Sequence, residues 1–172
     1  MSAFNPVKNP DSILSILSRI SMFGGVMDDK QNEILQLLET GAFKKGEYVF
    51  KRGDEPTHIY MVKSGCISLQ VMDDDAIVNK VTLSVGESFG EASLMSMHKH
   101  TATAIAVEDS EIIVLSRRAL IQLQQKDIGL FALLMMNLAR ELARRLKLTD
   151  EILLHYVHTH EGTQKPGKVT DP

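Results

Sequence analysis

The chain changes its hydrophobic period twice. Up to about residue 41, apolar residues recur at helical spacing. Ile13, Leu14, Ile16, Leu17 and Ile20 follow Asp11 and Ser12, either of which can cap a helix, and Gly24-Gly25 ends the run. Ile34, Leu35, Leu37 and Leu38 predict a second helix, from Asp28 or Asp29 to Glu39, with Gly41 as its stop. From Ala42 the period shortens to two and glycines punctuate it. The predicted strands are Tyr48 to Phe50, His58 to Val62, Cys66 to Met72, Ala76 to Val85, Thr101 to Val107 and Glu111 to Leu115. Gly53-Asp54, Ser64-Gly65 and Asp73-Asp74-Asp75 are the turns between them. Short strands in such number predict a β-sandwich or a jelly-roll barrel.

From Ser116 the period is helical again. Ser116 can cap a short helix carrying Leu120 and Leu123, and Asp127 can start a long one reaching about His158. Its first part is apolar nearly all round (Ile128, Leu130, Phe131, Leu133, Leu134, Met135, Met136), which predicts burial on more than one side. The stripe then narrows to Leu138, Leu142, Leu146, Thr149, Leu153 and Tyr156, flanked by Glu141, Arg144, Arg145 and Lys147. Steps of three and four with flanking charges suit a two-helix seam, so a homodimer through this helix is expected. The domain plan is a flexible lead-in over residues 1–10, one domain over 11–158, and a polar, disordered tail over 159–172.

Composition narrows the function classes. A chain of 172 residues can bury one proper core. Its 19 basic and 22 acidic residues leave a formal net charge of -3, which gives no footprint for nucleic acid. Cys66 is the sole cysteine, so no internal disulfide can form, and a reducing, cytoplasmic setting fits. No apolar run is long enough to span a bilayer. No serine, cysteine or carboxylate pair forms a recognisable catalytic group, and no enzyme activity is expected. His98 and His100, or His155 and His158, lack a further ligand set, and no metal is expected.

The most informative stretch is Phe89-Gly90-Glu91-Ala92-Ser93-Leu94, continued by Met97-His98-Lys99-His100-Thr101-Ala102-Thr103. A strand-like run feeds into it through Gly86, and a short helix can start just after Gly90. Amides at a helix start have no intrahelical partner and sit at the positive end of the helix dipole. Glycine at position 90 lets a ligand approach the backbone closely. A carboxylate such as Glu91 beside that point can accept hydrogen bonds from ligand hydroxyls, as an acidic residue does for ribose in dinucleotide sites.

The order of these residues resembles the phosphate-binding cassette of the cyclic-nucleotide-binding domain family. The spacing of Gly46, Gly53-Asp54, Gly65 and Gly86 resembles that family's turns as well. The resemblance implies a mixed α+β domain, a jelly-roll barrel flanked by N-terminal helices and a long C-terminal helix. It implies a ligand, cAMP or cGMP, at Gly90, Glu91, Ala92, Ser93, His100 and Thr101. The threonine at 101 resembles the cGMP-accepting members. Signalling would pass along the C-terminal helix to an unidentified protein partner or to the second protomer. One position departs from the pattern: His100, with Lys99 beside it, stands where the family carries a phosphate-pairing arginine. The same fold with an empty pocket, serving as a dimerisation or interaction module, is the alternative.

Overall fold

A computed structural model describes residues 4–73 and 76–161. Helix α1 spans Pro10–Leu17. Its cap, Asn9, lies two to three residues before either expected cap, because the Asn9 side chain accepts from the Ser12 amide and proline occupies the first helical position. A 3-10 turn over Ser21–Phe23 follows.

Helix α2 covers Asp28–Leu35 and is shorter than its apolar pattern predicts. The chain leaves the helix there because Leu38–Phe43 form a strand, β2, rather than a further turn. Strand β1 (Asn5–Pro6) pairs with one side of β2. Strand β9 (Ser110–Ser116) pairs with the other over six residues, from Leu38 opposite Leu115 to Phe43 opposite Ser110. Gly41 is therefore a strand residue and not a helix stop. Its missing side chain leaves room for Phe4, whose ring lies 2.7 Å from where a Cβ would sit.

The remaining strands are β3 (Tyr48–Phe50), β4 (His58–Ser64), β5 (Ile67–Asp73), β6 (Ala76–Leu83), β7 (Ser88–Phe89) and β8 (Thr103–Ala106). They form two antiparallel sheets, in the orders β1-β2-β9-β4-β7 and β3-β8-β5-β6. The core includes Phe43, Phe50, Tyr60, Ile67, Phe89, Ala104, Ile112 and Val114, drawn from both sheets. This is the jelly-roll arrangement that the glycine-punctuated strands predict. Asp73 pairs with Ala76 across the expected acidic turn, whose Asp74 and Asp75 lie outside the described residues. Of the tail expected over residues 159–172, residues 159–161 are helical, and the rest lies outside the described residues.

Ser116 accepts from the Ala119 amide and caps helix α4 (Arg117–Lys126). Helix α5 runs over Ile128–Glu161, its start held by Asp127, which accepts from the Leu130 amide. The chain divides into two compact units, Met1–Leu138 and Ala139–Pro172. Within the first, Leu130, Leu134 and Leu138 of α5 are buried. Asn137 donates to the carbonyl oxygens of Met22 at 3.1 Å and Gly24 at 2.7 Å. Lys30 of α2 bridges Asp127 at 2.8 Å and Glu33 at 2.8 Å. In the second unit, Glu141 pairs with Arg144 and Arg145 along the helix, and Leu146, Ile152, Leu153 and Tyr156 are exposed. No helix among the described residues is long and apolar enough to cross a membrane.

Candidate functional site

Strand β7 delivers the chain to Gly90, which adopts a left-handed conformation with φ 81°. That conformation and a close approach both require glycine, since an added Cβ would lie 2.7 Å from the Tyr60 ring. Helix α3 (Glu91–Ser96) starts at once, and its first intrahelical bond joins the Leu94 amide to the Gly90 carbonyl. The amides that precede Leu94 in this helix have no intrahelical acceptor. Met97 closes the helix in the left-handed region, at φ 57°.

The six expected site residues separate by burial. Glu91 is 2% exposed and His100 is 3% exposed. Gly90 and Ser93 are half-buried, while Ala92 and Thr101 are exposed. The strand expected to open at Thr101 begins at Thr103, and the bend before it carries Thr101 outward. His100 belongs to an inward alternation with Ala102, Ala104 and Ala106.

The loop over residues 51–55 fixes His100 from the other side. The Gly53 amide donates to the His100 carbonyl at 2.8 Å, and the His100 amide donates to the Asp54 carbonyl at 3.0 Å. The Arg52 amide donates to the Thr103 hydroxyl at 3.0 Å. So held, the imidazole lies on the Phe50 ring, with centroids 3.7 Å apart and planes 10° apart. Tyr60 is 6.4 Å away and itself stacks on Phe89. Nε2 of His100 is buried and has no hydrogen-bond partner among the described residues. Burial pushes the imidazole below its ordinary value of 6.5, and the Asp54 carboxylate opposes this more weakly. The imidazole therefore stays neutral further into the acid range than an ordinary histidine. Lys99 is exposed and lies 3.5 Å from Glu55.

Phe50, Tyr60, Phe89 and Asp54 are absent from the sequence-predicted site. The signal for the aromatic box was the inward alternation of their strands, which reads as core and not as site. A shallow cleft of about 250 Å³ lined by Ala42, Phe43, Lys44, Ser64, Asp109, Ser110 and Glu111 shares no residue with the cassette.

The profile of the cyclic nucleotide-binding domain matches residues 40–127. The chain belongs to that family. It is 31% identical over 130 residues to the cyclic AMP receptor protein of Thermus thermophilus, covering 75% of this chain and 58% of that protein. It is 30% identical over 113 residues to the cyclic nucleotide-gated channel alpha-4 of Mus musculus, covering 62% of this chain and 19% of the channel. The chain thus spans only part of the length of these longer relatives. The crystal structure of the Thermus thermophilus catabolite activator protein superposes with a TM-score of 0.72 at 30% identity, over 80% of this chain and 63% of that one. A cyclic nucleotide-binding domain from Methylobacillus flagellatus superposes with a TM-score of 0.78 at 19% identity, over 99% and 92% of the two chains, and shares the fold. These relatives place the chain in a family of regulatory sensor domains.

Proposed function

We propose that the protein is a regulatory small-molecule sensor whose ligand is a cyclic nucleotide, cAMP or cGMP. The observation that carries this reading is the burial of two polar side chains, Glu91 and His100, within one short segment that opens on the left-handed Gly90. Glu91 would accept the ribose 2′-hydroxyl. The phosphodiester would rest on the amides of Ala92 and Ser93 and on His100, with Thr101 at its edge. Gly90, whose missing side chain makes room for the Tyr60 ring, would set the left-handed turn that presents these amides. Helix α5 would carry the signal to a protein partner or a second copy.

The second reading is an interaction module of the same fold, with the pocket empty or holding another anion. The buried imidazole favours it, because a neutral ring is a poor substitute for a guanidinium at a phosphate. Calorimetric titration with cAMP and with cGMP separates the two. Saturable heat at micromolar to sub-millimolar ligand supports the sensor. Silence at millimolar ligand supports the module.

A further inference from the structure

On the reading of this cassette as a ribose-binding seat, we propose that it also takes uncharged nucleosides, and takes them in preference to the matching cyclic nucleotides at neutral and alkaline pH. The starting point is what the seat buries. Glu91 and His100 are both at least nine-tenths covered. A carboxylate oxygen accepts hydrogen bonds, and so does the bare nitrogen of a neutral imidazole. Nε2 of His100, buried and without a partner among the described residues, can be that nitrogen when the proton sits on Nδ1.

Two acceptors are matched by two donors on the ligand. The ribose of a nucleoside offers hydroxyl donors at the 2′, 3′ and 5′ positions. In a 3′,5′-cyclic nucleotide the last two have become ester oxygens, which only accept, and a negative charge has been added. The cyclic nucleotide keeps one donor for Glu91 and needs a donor, preferably cationic, at position 100.

The surroundings of His100 do not supply a buried cation. From its own segment, Lys99 is exposed and engaged with Glu55. From the facing loop, Asp54 adds a negative charge, and Arg52 is exposed. From β3, β4 and β7 come Phe50, Tyr60 and Phe89, and burial raises the Tyr60 phenol above its ordinary value, so it stays neutral. A ring this deeply buried against Phe50 gains a charge only at the cost of removing that charge from water. A neutral ligand asks for no such charge. Its 2′-hydroxyl would donate to Glu91, and its 3′- or 5′-hydroxyl to Nε2 of His100.

The test is calorimetry on the full chain with adenosine, guanosine, cAMP and cGMP at about pH 8 and about pH 5.5, on either side of an ordinary imidazole. The expected result at the higher pH is a nucleoside bound at least roughly tenfold more tightly than its cyclic nucleotide, with the gap narrowing at the lower pH. His100→Gln, which stays neutral, keeps the nucleoside preference and loses the pH dependence. His100→Arg reverses the preference by roughly tenfold or more. Circular dichroism confirms that each variant is folded. A wild type that binds the cyclic nucleotide more tightly at about pH 8 overturns the proposal. If wild type binds neither class but His100→Arg binds cyclic nucleotides, the nucleoside proposal fails and the cassette reading stands. If no folded variant binds any of the four, both fail.

Discussion

The imidazole of His100 and the ring of Phe50 lie face to face, 3.7 Å apart between centroids and 10° from parallel. The stack makes His100 a core ring as much as a site residue. Its folded-state pKa is lowered by burial, with Asp54 opposing. A depressed pKa means that stability is fully present above the unfolded value of about 6.5 and is lost as pH falls through the lower folded value. His58 shifts in the same direction, again by burial, with Glu39 opposing. Melting temperature is therefore expected to drop as pH falls below 6.5. His100→Phe should remove part of that drop, and thermal melts of both proteins across the acid range check it. Parallel curves for the two would mean that the stacked ring is not the sensitive group.

On the proposed function, the same group is expected to set the pH dependence of cyclic-nucleotide binding. A bound phosphodiester favours imidazolium, so the complex has a higher pKa than the free protein and holds more protons between the two values. Affinity should rise as pH falls, and should keep rising below 6.5 because the free imidazole is depressed. His100→Arg should flatten this profile and strengthen binding at neutral pH by very roughly ten- to a hundredfold. Calorimetry across the pH range reads both. Tight wild-type binding with a flat profile would transfer the role to Lys99 or to the amides.

The barrel was largely legible in the sequence because its strands are short, alternating and separated by glycine. The boundary after α2 was not. Ile34, Leu35, Leu37 and Leu38 fit a helix by spacing, but Leu38 is 2% exposed as the strand partner of Leu115. A long-range pairing decided what local period could not. The candidate site shows the same division. The left-handed turn at Gly90 and the helix that starts at Glu91 were legible from their order. The burial of His100 was written in its alternation with Ala102, Ala104 and Ala106, but the bend at Thr101 hid it by interrupting the strand. Phe50 and Tyr60 reach the imidazole from other strands, and only the folded topology brings them there.

Gly90→Ala should damage both fold and site. The residue sits at φ 81°, where an L side chain costs about 1–2 kcal/mol. The new methyl would also lie 2.7 Å from a buried aromatic ring, Tyr60, which is packed against Phe89 and cannot retreat freely. The expected outcome is a loss of about 2–4 kcal/mol in chemical denaturation, with ligand binding abolished. Alanine accepted with stability and binding intact would contradict this account of the cassette's entry.

Asn137 is the buried polar anchor at the start of the long helix. Its side-chain amide donates to two carbonyls, of Met22 and Gly24, which close the 3-10 turn. Removing a buried partner leaves carbonyls undersatisfied, and each such loss costs about 1–3 kcal/mol. Asn137→Ala should destabilise by about 2–4 kcal/mol on that basis. Asn137→Asp should be worse at neutral pH, because a carboxylate would face two carbonyl oxygens in a desolvated place. Urea denaturation of the two variants gives the order, and aspartate equal to or milder than alanine would show that these bonds contribute little.

The exposed half of the long helix is expected to seat a second copy of itself. Leu142, Leu146, Thr149, Leu153 and Tyr156 are spaced by four, three, four and three residues, the rhythm of a two-stranded seam. In the single chain Leu146 is 63% exposed, Leu153 58% and Tyr156 59%. Leu148 and Ile152, also exposed, widen the apolar stripe along one side. Fully burying a leucine stabilises by about 1.5–3 kcal/mol, so two helices covering several such positions each gain enough to offset the entropy of association at micromolar protein. The charges beside the stripe do not compete for it, because Glu141 already pairs with Arg144 and Arg145 on its own helix. The wild type is expected to run at twice the mass of one chain in light scattering, and a Leu142→Glu, Leu146→Glu double variant at the mass of one. The variant should keep the wild-type circular dichroism of the barrel, since neither residue belongs to the compact unit that ends at Leu138. A monomeric wild type, or a double variant that still dimerises, would place any self-association elsewhere and leave this stripe to a different partner helix.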